Sequence, residues 1–254
     1  MNKYAQDLKL AYKEEKKKSV ELKQKSHELE RSNDDLENFA YVASHDLKAP
    51  LRAIDNLASW IAEDLVGIMN DETKDHIAIL KTRVSRMDNL LNSLLAYSRV
   101  GRIESKVEKT DMNKLLRDIV AMINPPESVS IDILPGMPVF DTLKAPLQQV
   151  FMNLIGNAVK HRGKQNINIA VSFEDIGKFY RFMVKDDGPG IPEKLQSKAF
   201  QLFQTLKPRD EVEGSGMGLA IVKKTIESQG GTITINSSQG TGASFSFTWN
   251  KKIK

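Results

Sequence analysis

The sequence has no cysteine. Disulfides and thiolate metal sites are therefore excluded, and a reducing, cytosolic setting fits. No apolar run approaches the roughly 20 residues needed to span a bilayer, and no signal-peptide pattern opens the chain. Neither sign of charge dominates: 37 basic against 33 acidic residues leave a net charge of +4. No Lys/Arg block is interleaved with aromatics, so no nucleic-acid partner is expected. The G-x-x-x-x-G-K-[ST] loop and the H-R-D/D-F-G set are also missing, which excludes the P-loop and protein-kinase folds. The chain opens inside a charged helical pattern, and a soluble piece of a longer protein is the expectation.

What is present starts with 254 residues, 40% hydrophobic and 28% charged, enough for one large domain or two moderate ones. The organising stretch is Phe39–Ile54, which reads as a helix. Leu36, Ala40, Ala43, Leu47, Pro50, Ile54, Leu57 and Ile61 make a heptad-spaced seam. At 100° per residue, His45 lies about 160° from Ala43 and Leu47, so its ring faces away from that seam. Asp46 can accept from the ring Nδ1–H, which leaves Nε2 as nucleophile. Pro50 cannot donate to the Asp46 carbonyl, which weakens the helix one turn past the histidine. A solvated surface histidine is the plain alternative, and the rest of the chain weighs against it.

Upstream, residues 1–38 hold nine Lys/Arg and nine Asp/Glu. Leu8, Leu22, Leu29 and Leu36 keep a seven-residue spacing, interrupted by Glu15. This is a polar coiled coil able to pair in a dimer and to shift between packings, or a single solvated helix. The first helix runs to about Val66. A second is capped by Asp71 or Thr73 and carries Ile77, Leu80, Val84, Met87, Leu91, Leu94 and Ser98 in an a/d stripe. Two narrow stripes bury little alone; two copies make a four-helix bundle, so a homodimer is expected.

Beyond Gly101 the texture changes. Asp111 can cap a helix bearing Met112, Leu115, Leu116, Ile119 and Val120. A strand is expected at Val129–Leu134, a long helix from Pro146 to about His161, and strands at Ile167–Phe173 and Phe179–Lys185. A helix near Pro192–Phe203, another at Met217–Ser228, and strands Thr232–Asn236 and Ala243–Trp249 complete the reading. The fold class is α+β: a helical hairpin, then a two-layer α/β sandwich with a mixed sheet.

Four segments of this second half carry chemistry. Asn153 and Asn157 are four apart and share a helix face, with Lys160 one position round. An amide oxygen suits Mg²⁺, and lysine suits phosphate. Asp186-Asp187-Gly188-Pro189-Gly190 follows a strand, where a carboxylate could accept from an adenine amino group and glycines admit close backbone approach. Gly214, Ser215, Gly216, Met217 and Gly218 open a helix, a setting that binds anions. Phe200 and Phe203, before the polar loop Gln204–Glu213, read as the base of a flexible lid.

In this order the segments resemble the sensor histidine kinases of two-component systems, over roughly residues 30–250. His45 matches their H box, Asn153–His161 the N box, Asp186–Pro192 the G1 box, Phe200–Phe203 the F box and Gly214–Gly218 the G2 box. SHDLKAPLR is most similar to the phytochrome-like branch. The resemblance implies a coiled-coil signalling helix (1–35), a dimerisation and histidine-phosphotransfer domain (36–104) and a Bergerat-type ATP-binding domain (105–254). It implies ATP and Mg²⁺ as cofactors, a response regulator as partner, and an upstream sensor domain outside this chain. His45 becomes the phosphoacceptor and Asp46 its general base or orienter. Asn157 becomes the Mg²⁺ ligand with Asn153 its companion, and Lys160 a phosphate contact. Asp186 reads adenine, while Gly188, Gly190, Gly214, Gly216 and Gly218 shape the pocket, with His161 and Phe203 beside it.

The pattern departs from the family at three places. Thr205 stands where many members carry a lid arginine, leaving Lys207 or Arg209 for the γ-phosphate. His161 stands where tyrosine is frequent. Ala49 replaces the Thr or Asn that positions a dephosphorylating water. An ATPase of the same nucleotide fold and a non-catalytic nucleotide-binding scaffold are the competing readings. From Ala49, phosphatase activity towards the regulator is expected to be weak or absent; brisk dephosphorylation of the phosphorylated regulator would overturn this.

Overall fold

A computed structural model describes residues 3–101, 106–163, 166–204 and 215–251. Helix α1 (Lys3–Asp64) runs unbroken through Pro50. Helix α2 (Asp71–Arg99) returns beside it. The cap of α2 is Asn70, not Asp71 or Thr73: its side-chain oxygen accepts from the Thr73 N–H at 2.8 Å. Asn is among the strongest capping residues, and it stands at the right offset from the first turn.

On α1 the row that closes this hairpin differs from the expected seam, while on α2 it falls within the expected stripe. On α1 it is Ser44, Leu51 and Ala58; on α2 it is Val84 and Ser98, with Ile77 and Leu91 half-buried. Residues of the expected seam stay open: Leu47, Ile54, Leu57 and Ile61 are 48%, 42%, 52% and 49% exposed. Leu80 and Met87 on α2 are exposed as well. Each helix thus carries two rows. The 44-51-58 row sits three positions, or about 60°, from the 47-54-61 row, so one hairpin partner covers the first and not the second. The side chains of Leu36 and Ala40 lie outside the described residues, as do those of Leu8 and Leu29.

The second half is built on a five-stranded sheet in the order β2-β4-β5-β7-β6. Its strands are β2 (Val129–Ile133), β4 (Ile167–Asp175), β5 (Phe179–Asp186), β6 (Ile233–Ser237) and β7 (Ala243–Asn250). β2 and β4 are parallel and the other pairs antiparallel, so the sheet is mixed. Helices α3 (Met112–Ile123), α4 (Lys144–His161) and α6 (Gly218–Ser228) belong to this half. Asp111 caps α3 by accepting from the Asn113 and Lys114 N–H groups. Pro146 falls in the first turn of α4, where a missing N–H costs nothing. Phe151 of α4 meets Phe182 of β5 and Phe247 of β7 edge-on, both at 5.4 Å. These aromatics are fully buried and centre the core between helices and sheet.

Two elements were not expected, and one is shorter than expected. Strands β1 (Val107–Asp111) and β3 (Val139–Leu143) form a separate antiparallel pair. β1 reads Val-Glu-Lys-Thr-Asp, and only Thr110 is buried, so no apolar alternation announced it. Pro192–Phe203 holds a single helical turn, α5 (Glu193–Gln196), and then turns; Phe203 takes a positive φ of 62°. The small β pair is tied to the large sheet by the Trp249 indole N–H, which donates to the Thr142 hydroxyl at 2.8 Å in a buried site. Trp249→Phe leaves that hydroxyl without its donor. A loss of about 1–3 kcal/mol in urea-unfolding stability is expected; an unchanged midpoint would show that the bond contributes nothing.

Candidate active site

The end of β5 delivers Asp186 to the mouth of a cleft of about 370 Å³. Its Oδ1 accepts from the Gly188 N–H at 3.0 Å and the Ala243 N–H at 3.3 Å. Burial pushes the carboxyl above its ordinary value, while those two N–H groups pull it back down. Gly242 makes the second bond possible. It has φ +85°, and a side chain there would run into the Asp186 carbonyl. Asp187 does different work, accepting from the Asn168 N–H at 2.7 Å and pinning β5 to β4.

The opposite wall comes from α4 and the start of α6. Asn153, Asn157, Lys160 and His161 line the cleft from α4; Ser215, Gly216, Gly218 and Leu219 line it from the α6 side. Asn153 anchors itself by donating its Nδ2 to the Gln149 carbonyl at 2.9 Å. Gly218 lies so close that an added Cβ would stand 2.9 Å from Asn153 Oδ1. The glycine at the head of α6 is what lets its backbone approach the two asparagines. Asp186, Gly190, Ile191, Ala243 and Phe245 fill the far end, so one end is apolar with a carboxylate and the other polar with a cation.

The cleft thus gathers Asn153, Asn157, Lys160, His161, Asp186, Gly190, Gly216 and Gly218. Gly188 does not line it and instead holds Asp186. Phe203 does not line it either: it is 45% exposed, so it is no buried anchor for the lid. Gly214, Thr205, Lys207 and Arg209 lie outside the described residues. Gln204, Gln239, Ala243 and Phe245 were missed. Of these, only Gln239 and Ala243 had a sequence signal beside them, the Gly240-Thr241-Gly242 run that they flank.

His45 is on a different body. Its ring Nδ1 bonds Asp46 Oδ1 at 3.2 Å, and both side chains are exposed. The two halves touch through α2. The Ser93 hydroxyl donates to that of Ser215 at 3.0 Å, and the Lys224 ammonium donates to the Tyr97 carbonyl at 3.1 Å.

Residues 35–103 match the His Kinase A (phospho-acceptor) domain, and residues 142–253 match the histidine kinase-, DNA gyrase B- and HSP90-like ATPase. The chain belongs to the sensor histidine kinases. It is 38% identical over 236 residues to cyanobacterial phytochrome B of Nostoc sp., a match covering 91% of this chain and 31% of that protein. It is 32% identical over 232 residues to the methanogenesis regulatory histidine kinase FilI of Methanothrix harundinacea, covering 90% of this chain and 26% of that one. The chain therefore spans about a third or less of the curated relatives it matches. Among solved structures, full-length ShkA in complex with AMPPNP superimposes with a TM-score of 0.64 at 24% identity, covering 85% of this chain and 46% of ShkA. ThkA in complex with the response regulator TrrA gives 0.58 at 21%, covering 89% and 66%. Both show the same fold. No described helix is long and apolar enough to cross a membrane.

The raised Asp186 value has a measurable sign. An acid whose value rises on folding binds its proton more tightly when folded. Its favourable contribution is complete below the ordinary value of 3.8 and declines as pH rises through the raised value. Asp186→Asn removes this decline. Relative to the wild type, the variant is expected to gain unfolding stability across that window. Parallel stability–pH curves for the two proteins would overturn this.

Proposed function

We propose that this chain is the kinase core of a cytoplasmic sensor histidine kinase. It transfers the ATP γ-phosphoryl group to Nε2 of His45 and then to an aspartate of a response regulator. The observation that carries this reading is the convergence of the α4 asparagines, Lys160, Asp186 and the α6 glycines on one cleft, beside a hairpin with an exposed imidazole. The AMPPNP bound by ShkA and the regulator bound by ThkA support the same two ligands here. The matched segments support the proposed division into 1–35, 36–104 and 105–254.

Each residue then has a chemical task. Asp186, its Oδ1 occupied by two N–H groups, offers its remaining oxygen to the adenine amino group. Gly216 and Gly218 present backbone to the phosphates at the head of α6, and Lys160 adds positive charge. Among the described residues no cluster of three His, Asp or Glu could hold a metal. The Asn157 amide oxygen, a hard neutral donor, would hold a Mg²⁺ ion brought in with the nucleotide. When bound, it neutralises phosphate charge.

The reaction forms a bond between phosphorus and Nε2 and breaks the bond to the β–γ bridging oxygen, releasing ADP. Asp46 holds the Nδ1–H, so Nε2 carries the lone pair, and its carboxylate stabilises the positive charge that develops on the ring. Protein groups contribute positioning and charge more than covalent chemistry.

The open row of Leu47, Ile54, Leu57, Ile61, Leu80 and Met87 supports a homodimer, because apolar rows of this length are seldom left to water. The exposed side chains at 12–28 of α1 support a paired signalling helix leading from an upstream sensor.

With γ-labelled ATP, the wild type is expected to retain acid-labile, base-stable label. His45→Gln should abolish retention with nucleotide affinity unchanged, and Asn157→Asp should impair both. Steady ATP turnover without retained label would favour an ATPase, and binding without turnover a scaffold. Ile54→Asp with Ile61→Asp is expected to convert a dimer to a monomer by sedimentation; an unchanged mass would place the dimer contact elsewhere.

A further inference from the structure

A second cavity, of about 500 Å³, lies where α2 meets the nucleotide half of the chain. One wall is Gln149, Asn153, Lys160, Ser215, Gly218 and Ile221; the other is a strip of α2, namely Arg86, Asn89, Asn92, Ser93 and Ala96. Positions 86, 89, 93 and 96 follow the three-four spacing of one helix face. Asn153, Lys160, Ser215 and Gly218 line both this cavity and the nucleotide cleft. Asp186, Ile191, Ala243 and Phe245 line the nucleotide cleft alone. The nucleotide cleft therefore opens towards α2 at its cationic, amide-bearing end, opposite the end that holds the carboxylate.

The arrangement is fastened on both sides. Ser93 donates to Ser215 beside the opening. One helical turn along α2, Lys224 donates to the Tyr97 carbonyl and lies 4.4 Å from the centre of its ring. These contacts hold a guanidinium and a primary amide of α2 across from Lys160. A group bearing several anionic oxygens suits such a setting; an adenine ring does not.

We propose that α2 completes the terminal-phosphate end of the nucleotide site, with Asn89 and Arg86 as the residues that meet the γ-phosphate of bound ATP. This rests on the nucleotide-site reading given above and adds a binding role to a helix assigned only to dimerisation and phosphoacceptor support. In this arrangement the terminal phosphate is kept against α2. Delivery to His45 on α1 follows release of the Ser93 and Tyr97 contacts.

The test is isothermal titration of the full chain with ADP and with AMPPNP. Asn89 is exposed on a helix surface, so Asn89→Ala favours the helix and folds. Loss of a hydrogen bond to a charged oxygen predicts about a tenfold fall in AMPPNP affinity, with ADP affinity held within about twofold. Arg86→Gln should move affinities in the same direction and further. AMPPNP affinity unchanged in both variants would overturn the proposal, as would equal weakening of both nucleotides, which marks a structural effect. A wild type that binds neither nucleotide would remove the nucleotide-site reading itself, a result distinct from binding that α2 does not influence.

Discussion

At the end of β5 a carboxylate is held in place by backbone. Asp186 takes N–H groups from Gly188, two residues on, and from Ala243 at the start of β7. The second bond ties together two strands that are already neighbours in the sheet. It demands that the chain before β7 pass against the Asp186 backbone, and only a glycine at 242 permits that. Burial makes the charge costly, and the two N–H bonds offset part of the cost. The apolar end of the cleft forms around it, and the cationic end is displaced to α4 and α6.

The helical hairpin follows a different constraint. Each helix has two apolar rows about 60° apart, and one neighbour can cover only one of them. Small residues, Ser44 and Ala58 on α1 and Ser98 on α2, occupy the covered row and let the helices approach. Leu51 and Val84 fill the rest of that row, while Leu47, Ile54, Leu57 and Ile61 stay outside. His45 is adjacent to a buried serine yet exposed itself, so its ring is carried by a packed helix without being enclosed by it.

The two halves meet at α2, not at the histidine. Ser93 and Tyr97 receive the ATP-binding half through Ser215 and Lys224. Both contacts are polar, and at Tyr97 the Lys224 ammonium also lies over the ring.

Much of this was legible in the sequence. Helix caps, glycine–aspartate turns and period-two or heptad patterns are local, and they placed α1 to α4, α6 and all five strands of the large sheet. Residue types chosen for charge and amide chemistry placed Asn153, Asn157, Lys160 and Asp186 in one site, because those segments carry chemistry with few structural substitutes. The strands β1 and β3 were not legible: their stability comes from each other and from Trp249, over a hundred residues away. The role of Gly242, the outward turn at Phe203 and the choice of which helical row is buried were equally hidden. Each depends on what packs against it, and a sequence states a residue's nature without stating its neighbour. The chain alone thus determined the elements and the residue types available to a site; tertiary structure decided which apolar row was covered, how Asp186 was held and which end of the cleft faced α2, because those depend on contacts between distant segments.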